Sequence, residues 1–352
     1  MPANYFPILK GRRGERDAFQ NLSAEVRSRM LPIVEFPPQD PDSDGEDPSE
    51  PIDQFVSRII EPLATTFEGH LFALDLFALR SIQAMPDGTP VFTSIIQDLQ
   101  QASAALIPVV RLNYPPELNE QLIAASQTTQ SGVCLRIDAR GYPPQELTQL
   151  LEDAPEILGI SFQEIDLVLD FGVLAQNDLH PITFSAIGVL STLSMPTAWR
   201  NLVLAATGST RAVNVEPFQI AQLPRTGWQM WNDVAYSNLT SIPKIGDYGV
   251  RLPGFVTFDP RRMGRAPKYV YTCQDYWLSA RGQQDQMSQF QQLAQQLVER
   301  DEFCGAGYSW GDERIVEIAN GNGIGSMTNW ISYGTNHHLT FVAEQLANLS
   351  DS

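Results

Sequence analysis

Short apolar runs, each closed by a polar residue or reaching almost to one, recur along the chain. Seven of them are Tyr5–Lys10, Met30–Glu35, Leu71–Phe77, Leu106–Asn113, Val133–Asp138, Leu167–Gly172 and Leu202–Gly208. Their valines, isoleucines and leucines run on instead of alternating with polar residues, the pattern of parallel strands covered on both faces. Successive starts lie 25 to 41 residues apart, room each time for a helix and two loops. The intervening segments predict helices over Asp17–Arg29, Ile52–Phe67, Thr93–Ala104, Glu117–Thr128, Pro144–Leu151 and, after the seventh strand, Pro217–Leu223. An eighth strand fits at Ile245–Leu252 or at Phe255–Asp259. Repeated βα units of this kind predict an α/β fold, a closed (β/α)8 TIM-like barrel. A doubly wound open sheet is the rival, but no glycine-rich phosphate loop follows the first strand.

Two segments depart from the rhythm. Residues 37–53 carry seven acids and five prolines and predict a solvated acidic loop. Asp40, Asp42 and Asp44 there resemble the opening of a calcium loop, but its twelfth position holds Pro51 where glutamate is needed. Beyond about residue 254 the repeat stops. Tyr269–Cys273 and Asp275–Ser279 predict added strands, Gln283–Arg300 a helix, and His338–Leu349 a closing helix after a glycine-rich stretch. The expected organisation is a barrel over 1–253 and a C-terminal α+β cap over 254–352, packed as one unit.

Composition narrows the function classes. With 352 residues and 43% hydrophobic content the chain can bury a large core, and 18% charged residues exclude global disorder. A formal charge of -18 makes broad binding of nucleic acid unexpected and favours a partner with a basic face. No run approaches a membrane span, and the opening residues do not form a signal peptide, so a cytoplasmic protein is expected. Cys134, Cys273 and Cys304 are odd in number and far apart, and read as free thiols. One local reversal of charge stands out between Arg251 and Arg281, with Arg261, Arg262, Arg265 and Lys268 inside it and Tyr269, Tyr271, Tyr276 and Trp277 interleaved. It reads either as an anion-binding surface or as a basic cap on an acidic barrel.

In a barrel of this type, sites are built where strands end at their carboxyl side. Those ends supply Lys10, Glu35, Asp75, Arg111, Asn113, Arg136, Asp138, Asp170 and Thr207. As a site, Lys10, Arg111, Asn113 and Arg136 would hold an anionic small molecule, while Glu35, Asp75, Asp138 and Asp170 would move protons or bind a divalent ion. As a plug, the same groups would pair with one another for folding alone. Asp247, Tyr248 and His337 join the candidate site, His337 as a proton carrier at neutral pH. No metal site is assigned, since His337 and its neighbour His338 diverge by about 100° on a helix. A Gly-x-Ser-x-Gly elbow is absent, and no cofactor is indicated.

Several stretches together resemble the beta family, named for a satellite-phage protein of the gop–beta–cII type that is encoded beside a killer protein. They are Tyr5-Phe-Pro-Ile-Leu-Lys10-Gly11 with Gly14-Glu15, Leu31-Pro-Ile-Val-Glu35, Ile245-Gly-Asp247-Tyr248-Gly249, Trp277-Leu-Ser-Ala-Arg281-Gly282, Gly307-Tyr-Ser-Trp310-Gly311-Asp312 and Thr335-Asn-His337-His338. The resemblance implies a phage- or mobile-element-associated protein that counters a toxin or defence effector by binding it. A barrel enzyme, hydrolase-like and acting on an anionic or phosphorylated small molecule, is the alternative.

Overall fold

The computed structural model describes residues 3–39, 50–82, 84–210, 215–255, 266–323 and 325–350. Eight parallel strands close into a barrel in the order β1-β2-β3-β4-β5-β6-β7-β9. They are β1 (Tyr5–Lys10), β2 (Ile33–Glu35), β3 (Phe72–Asp75), β4 (Leu106–Val110), β5 (Val133–Asp138), β6 (Ile165–Leu174), β7 (Asn201–Gly208) and β9 (Lys244–Asp247). β9 closes the ring by pairing with both β7 and β1. The chain is therefore a (β/α)8 TIM-barrel-like protein, and its eighth strand is the earlier of the two expected segments.

Around the barrel lie α1 (Arg13–Gln20), α2 (Ala24–Ser28), α3 (Ile52–Thr66), α4 (Val91–Gln101), α5 (Pro116–Thr129), α6 (Pro144–Leu158), α7 (Leu179–Thr192) and α8 (Thr226–Ala235). The amphipathic helices turn residues such as Phe55, Ile59 and Leu63 of α3 onto the outward strand faces, forming one large core. Inside the barrel a second set packs alone: Phe6, Ile8, Ile33, Ala73, Ile107, Val109, Cys134, Val168, Val203, Ala205 and Tyr248. Side chains alternate along a strand, so this inner set fixes which strand-end residues face the mouth.

A three-stranded antiparallel sheet, order β10-β11-β8, stands beside the barrel. It joins β10 (Lys268–Thr272) and β11 (Tyr276–Arg281) to β8 (Ala221–Pro224), which comes from the segment after β7. That segment was expected to be helical at Pro217–Leu223. Instead Ala221–Pro224 pairs with Ser279–Tyr276 of β11, and the helix of this unit follows as α8. The cap is completed by α9 (Phe290–Val298), α10 (Trp310–Ala319) and α11 (Met327–Ser350). Its own core holds Tyr269, Tyr271, Leu278, Phe290, Leu293, Leu297 and Trp330.

The closing helix begins at Met327, well before the expected His338, so both histidines sit in mid-helix. Its early residues Trp330 and Tyr333 belong to the cap core, whereas Leu339, Val342 and Leu346 belong to the barrel core. The expected helix Asp17–Arg29 is two short helices, the second opened by Ser23, whose Oγ accepts from the Val26 N–H. Helices α7 and α10 had no counterpart in the sequence pattern. Residues 40–49, the centre of the expected acidic loop with Asp40, Asp42 and Asp44, lie outside the described residues. So do residues 256–265, with Arg261, Arg262 and Arg265. Among the described residues no helix is long and apolar enough to cross a membrane.

Candidate functional site at the barrel mouth

Two residues beyond the inner apolar layer, each strand contributes a group to the mouth. By strand parity these are Lys10, Glu35, Asp75, Arg111, Arg136, Asp170, Thr207 and Tyr248. Arg136 is at the centre and buried. Its guanidinium donates to Glu35 Oε1 at 3.0 Å, to Asp75 Oδ2 at 2.8 Å, to Asp170 Oδ2 at 2.8 and 3.0 Å, and to the Tyr248 hydroxyl at 2.8 Å. Tyr248 in turn donates to Asp170 Oδ2. Arg111 donates to the same Asp75 Oδ2 at 2.5 Å and, through Nε, to Oδ1 at 3.4 Å. A guanidinium thus sits among three carboxylates and neutralises them.

Local backbone fixes these carboxylates. After Asp170, β6 bulges, and Gly172 adopts φ +61 so that its N–H reaches Asp170 Oδ1 at 2.9 Å. An added Cβ at Gly172 would meet nothing within 4 Å, so conformation rather than space requires glycine here. The Phe77 N–H likewise binds Asp75 Oδ1 at 3.0 Å. Burial pushes the Asp75 carboxyl upward, but Arg111 and Arg136 outweigh it and hold the group below the ordinary aspartate value. Burial drives the Tyr248 phenol well above its usual range, so it stays a donor to Asp170.

One edge of the mouth is less complete. Glu35 Oε2 is buried with no hydrogen-bond partner among the described residues. It borders a cavity of about 280 Å³ together with Asp75, Phe77, Arg80 and Gly254. Nearby, the Lys10 ammonium binds the Gly254 carbonyl oxygen, and burial beside Arg251 lowers its pKa.

Four other candidates lie elsewhere. Asp138 is exposed at the rim, where its Oδ1 accepts from the Arg140 N–H at 3.2 Å. Asn113 is exposed on the turn after β4. Asp247 points outward from β9, away from its neighbour Tyr248, and receives Tyr5 Oη at 2.7 Å and His338 Nε2 at 2.9 Å. His337 is fully buried in the cap, bonded to Asp312 at 2.9 Å and to the Thr272 carbonyl at 2.9 Å, and stacked on Tyr271 at 3.9 Å. The expected placement of Asp247 and His337 at the mouth is therefore corrected: they tie α11 to the barrel and to the cap. The expected basic and aromatic surface also divides, with Tyr269, Tyr271 and Trp277 buried in the cap and Arg281 bonded to the Val215 carbonyl.

The family model described as Beta protein matches residues 5–344, from the first residue of β1 into α11. The chain belongs to the Beta protein family. Comparison with curated proteins finds no match.

The structure of this Beta protein family member also brings in a residue the strand-end rule misses. Glu15 lies within α1, yet it is buried and interacts with Lys10, Glu35 and Arg251. Burial raises its pKa to about 7. The glycines of the same opening are explained by packing. A Cβ on Gly11 would come within 3.2 Å of the Glu35 carbonyl, and one on Gly14 within 2.9 Å of Ile331 on α11. A signal was present in the sequence as the run Gly11-Arg12-Arg13-Gly14-Glu15, dense in charge directly after a buried strand.

Proposed function

We propose that this chain is a phage-associated protein that counters a toxin or defence effector by binding it, with the barrel serving as scaffold. The observation that carries this reading is the pairing of Arg136 with Glu35, Asp75 and Asp170. The groups best suited to chemistry at the mouth neutralise one another in the resting fold. Family membership supports the phage association, and the acidic composition supports a partner with a basic face. Co-expression with a killer protein of the kind encoded beside the family's namesake is the test. Cells survive if the reading is right; killing in the presence of abundant folded chain overturns it.

A second reading is a hydrolase-like enzyme acting on an anionic or phosphorylated small molecule. The unpartnered Glu35 Oε2 beside its cavity favours it, as a carboxylate oxygen open to a substrate or water. Glu35→Gln separates the readings, because the amide oxygen still accepts from Arg136 but cannot act as a base. Under the binding reading protection persists in this variant; under the enzymatic reading it disappears.

A further inference from the structure

Beside the mouth, between the start of α1, the end of β2, α3 and the turn after β9, lies a cleft of about 350 Å³. Arg12, Arg13, Arg16, Arg58 and Arg251 border it, with Glu15 as the one acid among these groups. Five cations around one cleft is a large share of the chain's 23 Lys+Arg, in a molecule carrying a formal charge of -18. Arg13 pairs with Asp17 at 3.4 Å, Arg58 pairs with Glu50, and Arg12 has a partner of its own. Arg16 and Arg251 have no carboxylate in hydrogen-bond contact among the described residues. Arg16 donates only to the Gly11 carbonyl, at 3.0 Å. Both are half-buried. Glu15 lies near Arg251 and Asp17 near Arg16, but neither guanidinium is taken up by a hydrogen-bonded carboxylate among the described residues, which leaves donors in the cleft for an anion.

Glu15 supplies an independent indication. Its side chain is 4% exposed and borders the cleft, and its Oε1 has no partner among the described residues. A buried carboxyl oxygen left open in this way calls for a ligand atom that shares a proton with it.

We infer that this cleft binds the phosphate group of a small molecule, gripped by Arg16 and Arg251 and sharing a proton with Glu15. A tetrahedral dianion accepts from two guanidinium forks at once and still presents an oxygen to a protonated carboxyl. The cleft is larger than one phosphate group fills, which leaves room for the moiety that bears it. Glu15 faces Lys10 from β1, Glu35 from β2 and Arg251 from the turn after β9, and these set its charge together with its burial. A protonated Glu15 donates to the anion, whereas an ionised one repels it, so affinity rises as pH falls. The site does not depend on whether the barrel mouth binds or reacts.

Calorimetric titration of the full chain with sulfate, which stays a dianion across the range, and then with inorganic phosphate, tests the assignment. Wild type is expected to bind sulfate at one saturable site, about tenfold more tightly at pH 6 than at pH 8. Arg251→Gln is expected to weaken binding about tenfold at both pH values while its unfolding curve matches wild type. Glu15→Gln, which keeps a donor, is expected to bind at pH 6 and to lose the pH dependence. Absence of saturable binding, equal affinity in Arg251→Gln, or a retained pH dependence in Glu15→Gln would each overturn the assignment.

Discussion

At Arg136 one guanidinium meets three carboxylates in a mouth almost closed to solvent. Removing it leaves Glu35, Asp75 and Asp170 facing one another with Arg111 as the nearest compensation. Arg136→Met is expected to cost about 4 kcal/mol at pH 7, measured by urea unfolding. Asp75 is held below its ordinary value of 3.8, so its contribution is present above that value and lost as pH falls through the depressed one. The penalty of Arg136→Met is therefore expected to shrink in acid. Glu15 has the opposite sign. Its pKa rises from 4.5 to about 7, so its contribution is complete below 4.5 and is lost as pH climbs through 7. Wild type is expected to lose about 3 kcal/mol from this group between pH 4 and pH 8, and Glu15→Gln to lose none of it. Unfolding free energies at the two pH values check this, and parallel slopes would contradict it.

The same contrast between expectation and structure appears in whole elements. Strands were legible because buried parallel strands are written as unbroken apolar runs. The direction of their last residues was not legible: Asp247 and Tyr248 are adjacent, yet one serves α11 and the other the mouth. The start of α11 was hidden for a related reason. Ser332, Thr335, Asn336, His337 and His338 are all buried, so the face it packs with is largely polar and breaks the apolar period. Buried polar partners replace the missing pattern, with Asn336 bonded to the Ala18 carbonyl of α1 at 2.9 Å. Helix–strand contacts also depend on glycines. A Cβ on Gly227 would lie 2.3 Å from the Ala206 carbonyl, so α8 rests directly on β7. Gly227→Ala is expected to destabilise by about 1–3 kcal/mol or more. Gly188→Ala on the exposed face of α7, with nothing within 4 Å, is expected to stabilise by about 0.5–1 kcal/mol. Thermal unfolding of both variants decides whether close approach, and not helix propensity, governs these positions.

On the scale of the whole molecule, the cap is bound into the barrel at several places. β8 leaves the barrel after β7 to complete the second sheet, and α11 contributes to both cores. Arg225, at 2% exposure, joins them by donating to the carbonyls of Cys273 and Gln274 at 2.9 Å and to Gln345 of α11 at 3.0 Å. Losing it leaves the buried Cys273 carbonyl and Gln345 Oε1 without this donor, while the Gln274 carbonyl keeps the Gln345 amide at 3.1 Å. Arg225→Met is expected to cost about 3 kcal/mol and to speed limited proteolysis within the cap. A barrel closed by its own ion pairs and braced in this way is suited to presenting a surface. The most direct measurement is growth rescue of cells that express a killer protein of the kind encoded beside the family's namesake, comparing wild type with Glu35→Gln at equal levels of folded chain. Equal rescue is the result expected of a protein that protects by binding. Loss of rescue in a variant with unchanged unfolding would contradict it and move the activity into the barrel mouth.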